Sequence, residues 1–335
     1  MPFNKLVEDK VFLLVGSTGS WGQELTKQLL EMNPKRIIIY SRGELAQVNM
    51  ERKFMDDRLK FVIGDIRDAG AVDGLFSTNS IDYVYMLAAL KHVPVCENQP
   101  QEAIKTNVIG TTNIINSAIK YKVKKVLDIS TDKAVSPCNT YGYTKAIGEK
   151  LTIQANNLTK DTDFVCIRGG NVLGSNGSVV PLFIDQIKRF NKITVTCGKM
   201  TRYFLTLQEA IGLLFQATDG SVGGETYVMH MPSFYIEDLA QVLIDHYGNK
   251  DTVIEEIGIR EGEKLHELLV SEHESPRTKV CNEDYYVILP ELKINRDYSH
   301  VNFLEKVSFK EFSSKDSLKD KEFLKGLLDR GGFLK

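Results

Sequence analysis

Over its first 170 residues the chain alternates short β-rich runs with amphipathic helical stretches, and this alternation limits the fold more than any single motif. The runs "KVFLLVG", "RIIIYS", "LKFVIGD", "IDYVYMLAA" and "VKKVLDIS" read as five strands, and their alternation with helices predicts a parallel sheet covered by helices on both faces. "DFVCIRGGNV" at 163–172 reads as a sixth strand, after a helix that starts near Tyr141 and runs toward Asn157. Further helices are expected near 179–190, 207–218 and 235–247, with the strand "TYVMH" at 226–230 returning to the main sheet. The fold class is α/β: a Rossmann-like doubly wound parallel sheet with a smaller, interleaved α/β domain. The first domain takes residues 1–170 and regains the chain at about 206–231; the second takes 171–335, mainly 171–205 and 232–335. The tail "SSKDSLKDKEFLKGLLDR" has apolar residues at helical spacing among charges and reads as a solvated surface helix.

Composition excludes several classes of function. With 335 residues, 42% hydrophobic and 26% charged, the chain can bury a large core. A formal charge of -2 gives no reason to expect nucleic acid or a membrane as partner, so any anionic ligand is held by local basic residues. No apolar run reaches the roughly 18 residues that span a bilayer, and "MPFNKLVEDK" is too polar for a signal peptide. The five cysteines, Cys96, Cys138, Cys166, Cys197 and Cys281, form no C-x-x-C pair, which argues against a zinc site or a disulfide framework and fits a reducing cytoplasm. His92, His230 and His266 lack metal-ligand spacing; they read as structural, and no metal is expected.

"VFLLVGSTGSWGQELTKQLL" is a strand, a turn and an amphipathic helix, with Gly16, Thr18, Gly19, Ser20, Trp21 and Gly22 in the turn. Glycines at these points allow a tight turn, a close approach to a pyrophosphate and packing of the helix on the sheet, while the helix N-terminus offers N–H groups to the anion. A dinucleotide site is the consequence, and the first domain is then the cofactor domain and the second the substrate domain. An NAD site usually has a carboxylate at the end of the second strand. Here stand Ser41 and Arg42, a hydroxyl and a guanidinium suited to a 2'-phosphate, so NADP is the expected cofactor; the rival reading is that Arg42 only solvates a loop. Ala88 and Ala89 after the fourth strand, and Asp65 and Ile66 after the third, are further cofactor candidates. Asp65 reads equally as a turn residue.

"STDKAVSPCNTYGYTK" at 130–145 carries the chemistry. Tyr141 and Lys145 stand at i and i+4 on one helix face, where an ammonium favours the phenolate and moves the tyrosine toward useful basicity. The same lysine can hold the nicotinamide ribose. This arrangement resembles the short-chain dehydrogenase/reductase superfamily in its extended, nucleotide-sugar-modifying form. Asp132 and Lys133 are not needed for oxidising an alcohol, and a solvated surface ion pair is their bland reading. Together with "ALKHVPVCENQPQEAIKTNVIGT", "NVLGSNGSVVPLF", "MTRYFLTLQEA" and "IGIREGEKLHELL", the stretch is similar to the UDP-N-acetylglucosamine 4,6-dehydratases of bacterial surface-sugar biosynthesis, from Val11 to about Leu289.

That resemblance implies a UDP-linked amino sugar as substrate and loss of water across C5 and C6, leaving a 4-keto-6-deoxy product. It implies Tyr141 as the group that takes the C4 hydroxyl proton, Lys133 as base at C5, Asp132 as acid at C6, Thr131 as partner of the C4 oxygen and Lys91 as a sugar contact. For these roles Asp132 has to be protonated and Lys133 neutral at the elimination step. By the same resemblance Asn171, Ser178, Val179 and Pro181 form the substrate turn, Arg202 and Arg260 take the diphosphate, and Glu263 takes ribose hydroxyls. By resemblance to the superfamily, whose common dimer face is made by the helices after the fourth and fifth strands, here 97–121 and 140–157, a homo-oligomer is expected.

The chain also departs from the family. Gly169 replaces an aromatic residue, which is expected to enlarge the substrate or nicotinamide pocket; Asn176 stands where many inverting members have Arg; and Trp21 replaces Phe. Those changes leave C5 stereochemistry open, C5 epimerisation included. A UDP-sugar epimerase and a non-catalytic NADP sensor are the rival readings; Asp132 and Lys133 argue against the first, the intact Tyr141 and Lys145 against the second.

Overall fold

A computed structural model describes residues 3–174 and 177–334. The strands β1 (Val11–Val15), β2 (Arg36–Ser41), β3 (Leu59–Ile63), β4 (Tyr83–Met86), β5 (Lys125–Thr131) and β6 (Asp163–Gly169) lie in one nine-stranded sheet. β7 (Asn171–Val172) and β9 (Thr201–Leu205) pair elsewhere, as does β8 (Lys192–Val195), and the chain returns to the large sheet at β10 (Thr226–Met229). From β3 through β2, β1, β4, β5 and β6 to β10 every pairing is parallel. Helices α1 (Ser20–Glu31), α2 (Glu44–Phe54), α3 (Ala69–Ser77), α4 (Gly110–Lys120) and α5 (Thr140–Ala155) make the crossovers. β1 has β2 on one side and β4 on the other, so the strand order reverses there, and the crevice outside the carboxyl ends of β1 and β4 is where such sheets bind ligands.

The sequence pattern and the sheet differ at defined places. The sixth strand read at 163–172 is two strands, broken at Gly170, where a Cβ would come 2.6 Å from Tyr203 Cβ. β7 then pairs with β9, which steers the chain off the sheet toward the ligand crevice. β11 (Ser233–Tyr235), β12 (Val253–Glu256) and β13 (Leu268–Val270) follow outside the large sheet. Two strands from the stretch read as second-domain chain, β14 (Thr278–Val280) and β15 (Tyr285–Ile288), extend the large sheet instead, β15 running antiparallel to β10.

Helices α6 (Val179–Phe190), α7 (Leu207–Gly220) and α8 (Ile236–Tyr247) lie within a few residues of the expected ranges. The tail is not a single solvated helix. β16 (Phe312–Ser313) pairs with β13, and only Lys321–Arg330, α9, is helical. Leu324, Leu327 and Leu328 of α9 are buried with Phe183, Phe204, Phe234 and Leu243 in the core of the smaller lobe. Each leucine so buried contributes about 1.5–3 kcal/mol. The large sheet is covered on its two faces by separate apolar clusters, one around Leu14, Ile39 and Tyr85, the other around Leu13, Ile38 and Val84. Among the described residues no helix is long and apolar enough to cross a membrane.

Candidate active site

The glycine turn follows β1 directly. Gly16 has φ +76°, and a Cβ there would lie 2.5 Å from Ala88 Cα; at Gly22 it would lie 2.1 Å from Ser17 O. At Gly19 a Cβ would meet nothing within 4 Å, so the ground in front of the N-terminus of α1 is open. Bare backbone, open space and a helix N-terminus fit a pyrophosphate. A cavity of about 420 Å³ continues from here along Thr18, Ser41, Arg42, Asp65, Ile66, Ala88 and Ala89. The Ser41 hydroxyl accepts a hydrogen bond from Gln47 Nε2 at 3.0 Å. Asp65 acts as a turn residue: its Oδ1 accepts from the Arg67 backbone N–H at 3.0 Å and its Oδ2 lies 2.6 Å from Arg67 Nη2. Partial burial would raise the Asp65 pKa, but Arg67, and Arg42 at 3.7 Å, hold it below the usual carboxylate range.

A second cavity, of about 600 Å³, shares Gly16, Leu87 and Ala89 with the first. Gly19, Ser20, Trp21, Gly22, Lys91, Thr131, Lys133, Tyr141, Asn171, Ser178, Val179, Arg202 and Glu263 line it, so most of the residues singled out from the sequence meet around one cavity. The Ser178 hydroxyl oxygen there is buried without a partner among the described residues, a donor for a ligand oxygen. Pro181 and Arg260 are exposed and off the wall: Pro181 lies on the outer face of the first turn of α6, and the Arg260 backbone N–H donates to Glu263 Oε2 at 3.2 Å. Gly169 is also off it. A Cβ there would lie 3.1 Å from Met229 Sδ and 3.8 Å from Met231 Sδ, so two thioethers fill the space and the absent ring does not enlarge the pocket. Asn176 lies outside the described residues.

The floor of the second cavity is the turn after β5. Asp132 is 0% exposed; its Oδ1 accepts from Thr131 Oγ1 at 2.9 Å and from Lys133 Nζ at 3.0 Å, while Oδ2 has no partner among the described residues. Glu267 Oε1 lies 3.4 Å from the same ammonium and 3.7 Å from Arg202 Nε. Burial pushes the Asp132 carboxyl up, more than Lys133 pulls it down, and the nearby Glu267 adds to the rise. Burial would lower Lys133, but Asp132 and Glu267 outweigh it and hold the group above the ordinary lysine range. The amine of the free enzyme is therefore charged, not neutral. Glu267 itself is held below the carboxylate range: Lys133, Arg202 and Lys264 overcome its burial.

Helix α5 sits directly on this turn. Asn139 caps it, its side chain accepting from Gly142 N at 2.8 Å, and a Cβ on Gly142 would lie 2.3 Å from Lys133 O, so only glycine permits the approach. Tyr141 is thereby held beside Thr131 and Lys133, and Lys145 Nζ lies 2.9 Å from Asp128 Oδ1. The expected net lowering of the Tyr141 pKa does not occur. Burial raises it, and Lys145, Lys133 and a hydrogen bond with Thr131 only limit the rise. Asn107, on a π-helical turn at 105–109, bonds both the N–H and the C=O of Leu90 and the Thr144 hydroxyl, tying the Lys91 loop to α5.

Sequence reasoning missed Gln47, Asn107, Asp128 and Glu267. Asp128 had a signal, an acid inside an apolar strand, and Glu267 lies inside the stretch "IGIREGEKLHELL". Among the described residues no group of three or more His, Cys, Asp or Glu is placed to hold a metal ion.

A glycine turn at the switch point of a doubly wound sheet, with a Tyr–Lys helix facing it across a crevice, defines an extended short-chain dehydrogenase/reductase. Residues 12–290 match the family described as "Polysaccharide biosynthesis protein", and the chain belongs to that family. It is 41% identical to a UDP-N-acetylglucosamine 4,6-dehydratase (inverting) of Campylobacter jejuni over 289 residues, 85% of this chain and 84% of that protein. It is also 41% identical to a protein of Rickettsia canadensis named UDP-glucose 4-epimerase, over 84% of this chain and 83% of that one. Among solved structures, Pen from Bacillus thuringiensis superposes with a TM-score of 0.89 at 37% identity, covering 98% of this chain and 99% of Pen. The chain is an enzyme of the nucleotide-sugar dehydratase and epimerase kind.

Proposed function

We propose that the protein is an NADP-dependent 4,6-dehydratase acting on UDP-N-acetylglucosamine. The observation that carries this reading is the buried contact of Asp132 with Lys133 beside Tyr141: epimerisation at C4 has no use for an acid and a base at C5 and C6, and a surface ion pair would be exposed. When bound, the nicotinamide supplies hydride acceptance at C4 and hydride return to C6. Tyr141 takes the C4 hydroxyl proton, and the ketone formed there makes the C5 hydrogen acidic. Passage of a proton from Lys133 Nζ to Asp132 Oδ1, across 3.0 Å, turns ammonium and carboxylate into amine and carboxylic acid together. Lys133 then takes the C5 proton, and Asp132 gives its own to the C6 hydroxyl, which departs as water. The elimination leaves the pair as ammonium and carboxylate; as hydride reaches C6 the Lys133 ammonium gives a proton to C5, and the proton taken by Tyr141 replaces it by way of solvent, so one water has left and the charges close. Glu267 keeps Lys133 charged until the transfer occurs. Incubation with UDP-N-acetylglucosamine and mass spectrometry of the nucleotide sugar tests the reading: loss of one water supports it, and an isomer of unchanged mass supports an epimerase.

Two finer points belong to the same reading. Arg42, 52% exposed and 3.7 Å from Asp65, and Ser41 line the first cavity together and offer a guanidinium and a hydroxyl to a 2'-phosphate. Arg42→Ala should weaken NADP by roughly tenfold or more, the scale of a charge-assisted contact, and leave NAD nearly unchanged; equal losses by calorimetric titration exclude the role. A homo-oligomer is supported by Ile104, Ile109, Tyr143 and Ile147, exposed on the helical stretch 100–120 and on α5. Sedimentation at micromolar concentration should give a multiple of 37.8 kDa, and a single species of that mass contradicts the proposal.

A further inference from the structure

Asp128 is the one acid in the central strand β5, 1% exposed, with Oδ1 2.9 Å from Lys145 Nζ and Oδ2 without a partner among the described residues. Lys145 is itself only 4% exposed. The groups facing its ammonium are Asp128 from β5, Tyr141 and Glu149 from its own helix, and Cys166 from β6, which stands opposite Asp128 in register. Glu149 is taken up by Arg168, 2.6 Å away. Tyr141 is faced by Lys145, and by Thr131, Asp132 and Lys133 from the turn. Burial alone disfavours an ammonium this deep, and the most deeply buried lysines lacking a counter-charge titrate as low as pH ~5–6.

We propose that Asp128 is the counter-ion that keeps Lys145 charged beneath Tyr141, and hence a positioning residue for oxidation at C4. The inference rests on Tyr141 being the acid-base group of the proposed function. Burial lowers the Lys145 pKa, and Asp128, the largest opposing influence, helps carry it above the ordinary lysine value. Lys145 is in turn the largest influence limiting the Tyr141 pKa. Without the carboxylate Lys145 sheds its proton, Tyr141 loses its main cation, and the phenol becomes harder to ionise.

Asp128→Asn removes the charge and keeps the shape, while Asp128→Glu keeps the charge. Tyrosinate absorbance, taken as the difference between each protein and its Tyr141→Phe counterpart, reads the ionisation of Tyr141 with no substrate present. The expected result is a titration about one pH unit or more higher in Asp128→Asn and little moved in Asp128→Glu. In turnover, the limb of C4 oxidation that rises with pH moves upward by the same amount and the rate recovers at high pH, whereas a merely structural defect lowers it equally at every pH. An unmoved Tyr141 titration in folded Asp128→Asn overturns the inference. If that variant does not fold, the Cε resonance of Lys145 in the wild type, assigned by its loss in Lys145→Arg, decides: it keeps its charged position past about pH 10.4, and earlier titration overturns the inference. These ionisation readings need no sugar, so their failure leaves the dehydratase reading intact, and a missing dehydration with the ionisation shift present does the reverse.

Discussion

Tyr141→Phe should slow oxidation at C4, and every step after it, by roughly a hundred- to ten-thousand-fold, the contribution of a positioned acid-base group. The ring is kept, and with it the contact of α5 with the turn after β5, so the fold and cofactor affinity should stay near wild type. What is lost is the hydroxyl among Thr131, Lys133 and Lys145. The pH dependence is a second mark of the same residue. Burial holds the Tyr141 pKa above the ordinary tyrosine value, so the ionised fraction, and C4 oxidation with it, should still be rising as pH is taken up through the neutral range. Absorbance of the reduced nicotinamide in a single turnover measures both. A Tyr141→Phe protein that reduces its cofactor at near wild-type rate removes Tyr141 from the reaction.

Lys133→Met should separate the two halves of the chemistry. Its stem fills the place of the lysine, so packing against Asp132 and Glu267 is kept while the amine is removed. Oxidation at C4 remains possible because Tyr141 and Lys145 are untouched. Exchange of the C5 hydrogen with solvent, and product formation, should fall together by roughly a hundredfold or more. Exchange at near wild-type rate would make Lys133 a structural charge and send the search for a base elsewhere.

What the sequence reveals of this protein follows from how local each feature is. β1, β2, β4, β5 and β6 are legible because strands covered on both faces are rich in apolar residues, and β3, only partly buried at the edge of the sheet, carries a similar run. β14 and β15 are not, because β15 is placed by pairing with β10, far back in the chain, and β14 follows by pairing with β15. The break at Gly170 depends on Tyr203, and the helix at the tail is placed by three leucines whose partners lie in another part of the lobe. In the site, Tyr141 and Lys145 follow from a four-residue spacing and Asp132 and Lys133 are neighbours, so both pairs can be read directly. Glu267 reaches Lys133 from a distant stretch, and nothing in the string of residues shows that contact. The direction of each pKa was illegible for the same reason. The spacing of Tyr141 and Lys145 suggests a lowered phenol, and only the depth of the site shows that burial outweighs the cations. Likewise a lone amine next to an acid looks available as a base, until the second carboxylate is seen on its other side.

The central claim is elimination across C5 and C6, and proton NMR of UDP-N-acetylglucosamine turned over in deuterated water tests it most directly. The account predicts a new C6 methyl signal on the sugar, with deuterium from solvent at C5 in product and in recovered intermediate. A sugar whose ring protons shift with no methyl signal, and with C5 still carrying hydrogen, would contradict it.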